Sequence, residues 1–192
     1  IIKEGVESWN LAFESAGFSN AIKVEIQPDD ADWDAGDIRY NVLRWTSSPN
    51  PPFGGYGPSF TNPRTGEILG ADIMLEWIYL TNRVRYSEIF ENQDNQENHG
   101  NDFCLNSLIK QENRLFGKLA TEALELSETE ISKLYEEDLY QLILHEVGHT
   151  LGLNHNFAAS TLHNNSDVHN PEKTYKEGLS SSVMDYHALN IA

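Results

Sequence analysis

Cysteine is nearly absent from this chain. Cys104 is the single one among 192 residues, so no intramolecular disulfide can form and thiol usage does not report a redox compartment. In its apolar-patterned surroundings Cys104 is expected to be a small buried hydrophobe. Basic residues are scarce as well. The 13 Lys and Arg stand against 30 Asp and Glu, for a formal net charge of −17. Such a balance argues against a nucleic-acid partner or an anionic membrane surface, both of which need basic patches. It favours divalent cations, although solubility accounts for most of those carboxylates. No stretch is long and apolar enough to span a membrane, and neither an internal repeat nor a heptad run is present. The chain opens at Ile1 rather than Met. It is expected to be a mature form or an excised part of a longer chain, so the lack of a leader says nothing about export.

What the chain does contain is enough apolar and aromatic material for a core, with four Trp, eight Tyr and eight Phe. The length suits one domain. KEGVESWNLAFESAGF reads as an amphipathic helix with Val6, Trp9, Phe13 and Ala16 on one face and Gly17 as its stop. AIKVEIQ (21–27) alternates and predicts a strand, and DIRYNVLRW (37–45) predicts a second. In 53–77, Asn62-Pro63-Arg64-Thr65-Gly66 has turn chemistry between two arms, Tyr56–Phe60 and Ala71–Trp77. Pro58 has no amide hydrogen, which places the first arm at a sheet edge. Residues 91–102 are polar and read as a loop containing a solvated His99. Helical spacing then runs from Leu105 to about Leu126. Ser127 and Glu130 form a capping box for a short helix, and a further helix is predicted from about Glu137. From Asn154 onward the chain reads mostly as loop.

Three of the seven histidines fall within HEVGHTLGLNH (145–155). On a helix, residues four apart lie one above the other, so His145 and His149 can reach one point. Glu146 lies about 100° round from His145 and can lean over that point without occupying it. Leu139, Ile143, Leu144, Val147 and Leu151 fall on the opposite, core-facing side. Gly152 can take a left-handed conformation cheaply, ending the helix and letting His155 swing back. Three neutral imidazoles with open coordination positions are the donor set of a catalytic zinc ion. The metal would acidify water, and Glu146 could take that proton. The blander reading is a helix whose histidines only satisfy buried polar groups. It explains neither the Glu, nor the Gly, nor the third His.

HEVGHTLGLNH is similar to the HExxHxxGxxH signature of metzincin metallopeptidases. SSSVMDY (180–186) resembles their Met-turn, with Met184 as the turn residue. RYNVLRW, TNPRTGEILGA, HEVGHTLGLNHNFAAS and SVMDY together resemble the catalytic domain of a family of large, exported bacterial zinc metallopeptidases. The resemblance implies an α+β, zincin-like fold: a twisted mixed sheet packed on the active-site helix, with a small irregular C-terminal lobe after the glycine turn. It implies an upper lobe over 1–152 with a helical insertion at about 92–138, and a lower lobe over 153–192. A strand is expected upstream of Ile1. An edge strand, Tyr56–Phe60 by chain order, would pair with substrate backbone. Tyr186 lies two residues after Met184, where some metzincins place a tyrosine that reaches the metal or the oxyanion; a plain packing role is the alternative.

The expected activity is therefore that of a zinc-dependent endopeptidase acting on protein or peptide. His145, His149 and His155 would hold one zinc ion, and Glu146 and Tyr186 would do the chemistry. Export to the periplasm, cell surface or medium is expected. Two other readings are a zinc-holding module that binds a peptide or glycoconjugate without turnover, and a hydrolase of a non-peptide amide. Asp30, Asp32 and Asp34, followed by Gly36, resemble a calcium loop only superficially: the glycine is one place late and no closing Glu follows. His163, His169 and His187 lie near the zinc segment in sequence; each alone reads as a surface histidine, with a place in the cleft lining for one of them as the alternative.

Overall fold

The computed structural model describes residues 1–48, 54–77 and 127–187. Cys104, the loop around His99, the helical spacing of 105–126 and the 92–126 part of the expected insertion lie outside the described residues.

Two short helices open the chain, α1 (Ile2–Glu7) and α2 (Asn10–Ser15). A single helix was expected from the apolar spacing. The ladder is interrupted at Ser8–Trp9, where the Ser8 hydroxyl donates back to the Gly5 carbonyl at 2.7 Å and the Trp9 amide reaches only Val6, three residues back. Such back-bonding by Ser competes with the regular ladder. Ile2, Val6 and Trp9 still pack on the core.

The alternating stretch 21–27 does not form a strand. Its backbone is held by side chains instead. Asn10 donates to the Ile22 carbonyl at 2.8 Å and accepts from the Ile22 amide at 2.9 Å, and Glu7 accepts from the Val24 amide. Ile26, on the supposedly buried side, is 94% exposed. Of 37–45, only the second half enters the sheet, as β1 (Val42–Thr46). Asp37 instead closes a turn, its side chain and carbonyl accepting from the amides of Arg39 and Tyr40.

The sheet is small, open and mixed. β4 (Ile68–Glu76) lies at its centre, with β1 parallel on one side. On the other side β2 (Gly55–Tyr56) and β3 (Ser59–Thr61) run antiparallel to β4 in succession. Gly66 closes the β3–β4 turn at φ +74°, its amide bonding to Asn62. Pro58 sits between β2 and β3, its carbonyl accepting from Asp72, in line with the edge position expected for it. At the end of β4 a buried carboxylate, Glu76, accepts from Thr46 Oγ1 and from both Oγ and N of Ser48. Burial raises its pKa, but those bonds outweigh burial and hold it below the ordinary carboxylate value.

One long helix, α3 (Glu128–Thr150), packs beneath the sheet. The Ser127–Glu130 capping box is present, and it heads α3 itself rather than a separate short helix. The 127–138 part of the expected insertion is thus the first half of α3. Ile73 and Leu75 of β4 meet Leu139, Leu142, Ile143 and Val147 of α3 in the core. Leu142 takes a fully buried place where Leu144 was expected; Leu144 and Leu151 are half-buried. α1 comes so close to α3 that a Cβ on Gly5 would lie 2.9 Å from Ile143. After α3 the chain forms a 3-10 helix (Phe157–Thr161) and a short α4 (Pro171–Glu177) capped by Asn170, so this segment is less irregular than its composition implied. No helix among the described residues is long and apolar enough to cross a membrane.

Candidate metal centre

The last turns of α3 carry His145, Glu146 and His149 side by side. The helix then stops on Gly152, at φ +91°. The Gly152 amide bonds to the His149 carbonyl and the Leu153 amide reaches back to Gly148, both at 3.0 Å. This is a left-handed C-terminal cap that only a residue without Cβ adopts cheaply. It reverses the chain and returns His155 to the helix face. The ligating nitrogens of His145, His149 and His155 lie within 4.8 Å of one another, and this is the only such group of three metal-binding side chains among the described residues. Asp30, Asp32 and Asp34 are exposed and do not converge.

Each of the first two imidazoles is oriented from behind. Nδ1 of His145 donates to the Val183 carbonyl at 2.7 Å, and Nδ1 of His149 to the Leu153 carbonyl at 3.0 Å. Donation from Nδ1 leaves the lone pair on Nε2 and aims it at the shared point. Nε2 of His155 lies 3.1 Å from Nε2 of His149 and 2.7 Å from the Tyr186 hydroxyl. Two ring nitrogens this close are held together either by one shared proton or by one shared cation. Nitrogens bound to one zinc at about 2.0–2.1 Å stand about 3.3 Å apart in tetrahedral geometry; the His149–His155 pair is at that spacing, and the His145 nitrogen lies within 4.8 Å of both. Burial lowers the pKa of His149, offset in part by Leu153. Burial, and then the neighbouring His149, lower that of His155. Both shifts favour the neutral, ligating form.

Glu146 is fully buried beside the trio. The sheet roofs it with glycines. A Cβ on Gly55 would lie 3.0 Å from Glu146 Oε1, and one on Gly57 would lie 2.6 Å from the Glu146 carbonyl oxygen. Neither glycine was singled out in the sequence, although the density of glycine in FGGYG was a visible signal of close backbone approach.

The turn at 183–186 lies against α3. Met184 is 2% exposed, and its Sδ would be 2.4 Å from a Cβ on Gly148. The Met184 carbonyl accepts from the Asn156 amide at 2.9 Å. Met184 therefore packs against Gly148 of α3, one residue before His149, while the adjacent Val183 carbonyl orients His145 by hydrogen bonding. Tyr186 is brought to the site, its ring 4.6 Å from His155 and 5.5 Å from His145. Phe157 closes the group, 5.5 Å from His155 and 5.2 Å from Tyr186. His187 bonds to Gln141, one turn before His145 on α3, and His163 bonds to the Gly178 carbonyl. Neither joins the trio, nor does His169.

No curated protein and no solved structure matches the chain. Residues 127–192 match the family model described as Met-zincin. With His145, His149 and His155 at the histidine positions of HExxHxxGxxH on the helix of a mixed α+β fold, this last third of the chain is similar to the Met-zincin family.

Proposed function

We propose that the protein is a zinc-dependent endopeptidase in which His145, His149 and His155 hold the metal, Glu146 moves the proton and Tyr186 meets the developing negative charge. The observation that carries this reading is the juxtaposition of three converging imidazoles with a carboxylate on the same helix, one residue from the first of them. Zinc, when bound, supplies Lewis acidity, which acidifies water and polarises a carbonyl. Glu146, confined between α3 and the Gly55–Gly57 backbone, takes a proton from water on a carboxylate oxygen and delivers it to the leaving amine nitrogen. The Tyr186 hydroxyl lies at one of the three imidazoles, so a carbonyl drawn to the trio comes within reach of its O–H. β2 and β3 form an edge among the described residues. An extended peptide would add to that edge, with Pro58 subtracting one donor. The fixed polarity of such pairing suits a peptide better than a compact amide. Export of the protein goes with this reading as an expectation.

Glu146→Ala separates chemistry from metal binding. Hydrolysis of a peptide library by the zinc-loaded protein is expected to fall about 10²–10⁴-fold, the usual share of a general base, with one zinc per chain retained. Undiminished cleavage by the variant would remove Glu146 from the mechanism. A parent protein that binds a peptide hydroxamate tightly yet cleaves no peptide would convert the reading to a binding module.

A further inference from the structure

We propose that Asp185 and Ser160 form a positioning pair that holds Tyr186 against His155. The proposal rests on the reading of Tyr186 as the group that meets developing charge, and it names what puts that group in place. Asp185 is 3% exposed. Its Oδ2 accepts from the Ser160 hydroxyl at 2.5 Å and its Oδ1 from the Tyr186 amide at 2.8 Å. A carboxylate buried this deeply, with no ion pair among the described residues, is destabilising unless its hydrogen bonds compensate, so packing alone gives no reason for it.

Its two bonds reach the two segments that carry the site. Ser160 lies in the 3-10 helix that begins two residues after His155, and Tyr186 follows Met184 in the turn. The Asn156–Met184 and Ser181–Ala159 backbone bonds already tie these segments together up to Met184. Asp185 extends the tie by one peptide and fixes the amide of Tyr186. Only the two side-chain torsions of Tyr186 then separate that amide from the hydroxyl 2.7 Å from His155 Nε2.

The chemistry separates position from charge. In Asp185→Asn the amide oxygen can still accept from the Tyr186 N–H, and the amide nitrogen can donate to the Ser160 oxygen, since a hydroxyl both donates and accepts. That variant keeps both links without the charge. Asp185→Ala removes both links, and Ser160→Ala removes one.

The test reads geometry in the zinc-free full-length protein and binding in the zinc-loaded one. Nuclear Overhauser contacts between the Tyr186 and His155 rings should be present in the parent and in Asp185→Asn, weakened in Ser160→Ala and lost in Asp185→Ala. Should Asp185→Ala fail to fold, Ser160→Ala decides. An unchanged ring contact in Ser160→Ala, or in a folded Asp185→Ala, overturns the proposal. For a peptide hydroxamate, Asp185→Ala and Tyr186→Phe should each weaken binding about tenfold, and the double variant no further, because both remove the same interaction. A multiplicative loss of about a hundredfold would mean that Asp185 acts independently of Tyr186, and also overturns it. A parent that binds no hydroxamate counts against the endopeptidase reading, while the ring contacts still judge the positioning pair.

Discussion

His149 and His155 become weaker bases on folding, His149 through burial and His155 through burial and then its neighbour. In the unfolded chain both take up protons as the pH falls below about 6.5, whereas the folded protein resists. The unfolded state then binds more protons, so the folded state loses stability as pH falls through that value toward the lowered pKa of each ring. Above it, the contribution is constant. Thermal melting of the zinc-free protein should therefore drop between pH 7 and about pH 6, and a His149→Gln/His155→Gln variant should show less of that drop. A melting point that rises over the same interval would reverse the sign of the argument. At this scale the sequence was most informative about these very residues, because their spacing on a helix and beyond a glycine is local. Val183, Leu153, Gly55 and Gly57 were not legible as site residues. They act through backbone groups, or through a missing Cβ, on partners brought near only by folding.

The active-site helix has both of its ends written in side chains. Ser127 and Glu130 close the capping box at one end, and Gly152 ends the other. Between them Gly148 is a helical glycine with a steric role. Alanine in a helix interior ordinarily gains about 1 kcal/mol over glycine. Here the added Cβ would stand 2.4 Å from Met184 Sδ and 3.3 Å from the Trp9 ring, and overpacking of this kind costs about 1–3 kcal/mol. Gly148→Ala should therefore lower the melting temperature and weaken zinc retention against a chelator, since the displaced turn also carries the Val183 carbonyl that orients His145. A higher melting temperature would show that the turn yields without cost. The elements themselves were unevenly legible. The turn at Asn62–Gly66 and the zinc helix have local signatures. The strand predicted at 21–27 failed because Asn10 and Glu7 satisfy its amides, a partnership that alternation cannot report. The start of α3 was placed late because Glu128 to Asp138 is mostly polar and shows no continuous apolar stripe.

In the whole molecule, the family match covers α3 and the turn at Met184, while every strand of the sheet lies outside it. The site nevertheless depends on both parts, since β2 and Gly57 roof Glu146 and the segment after Gly152 supplies His155 and Tyr186. An acidic chain of net charge −17 sets this centre in a field that draws cations and repels anionic ligands. The account as a whole turns on whether one zinc ion sits among the three imidazoles. Zinc X-ray absorption on the stoichiometrically loaded protein measures this directly. The expected spectrum has three imidazole nitrogens at about 2.0–2.1 Å and one further light atom from solvent, falling to two imidazoles in His155→Ala. A fourth protein ligand, fewer than three imidazoles in the parent, or no bound zinc would contradict it.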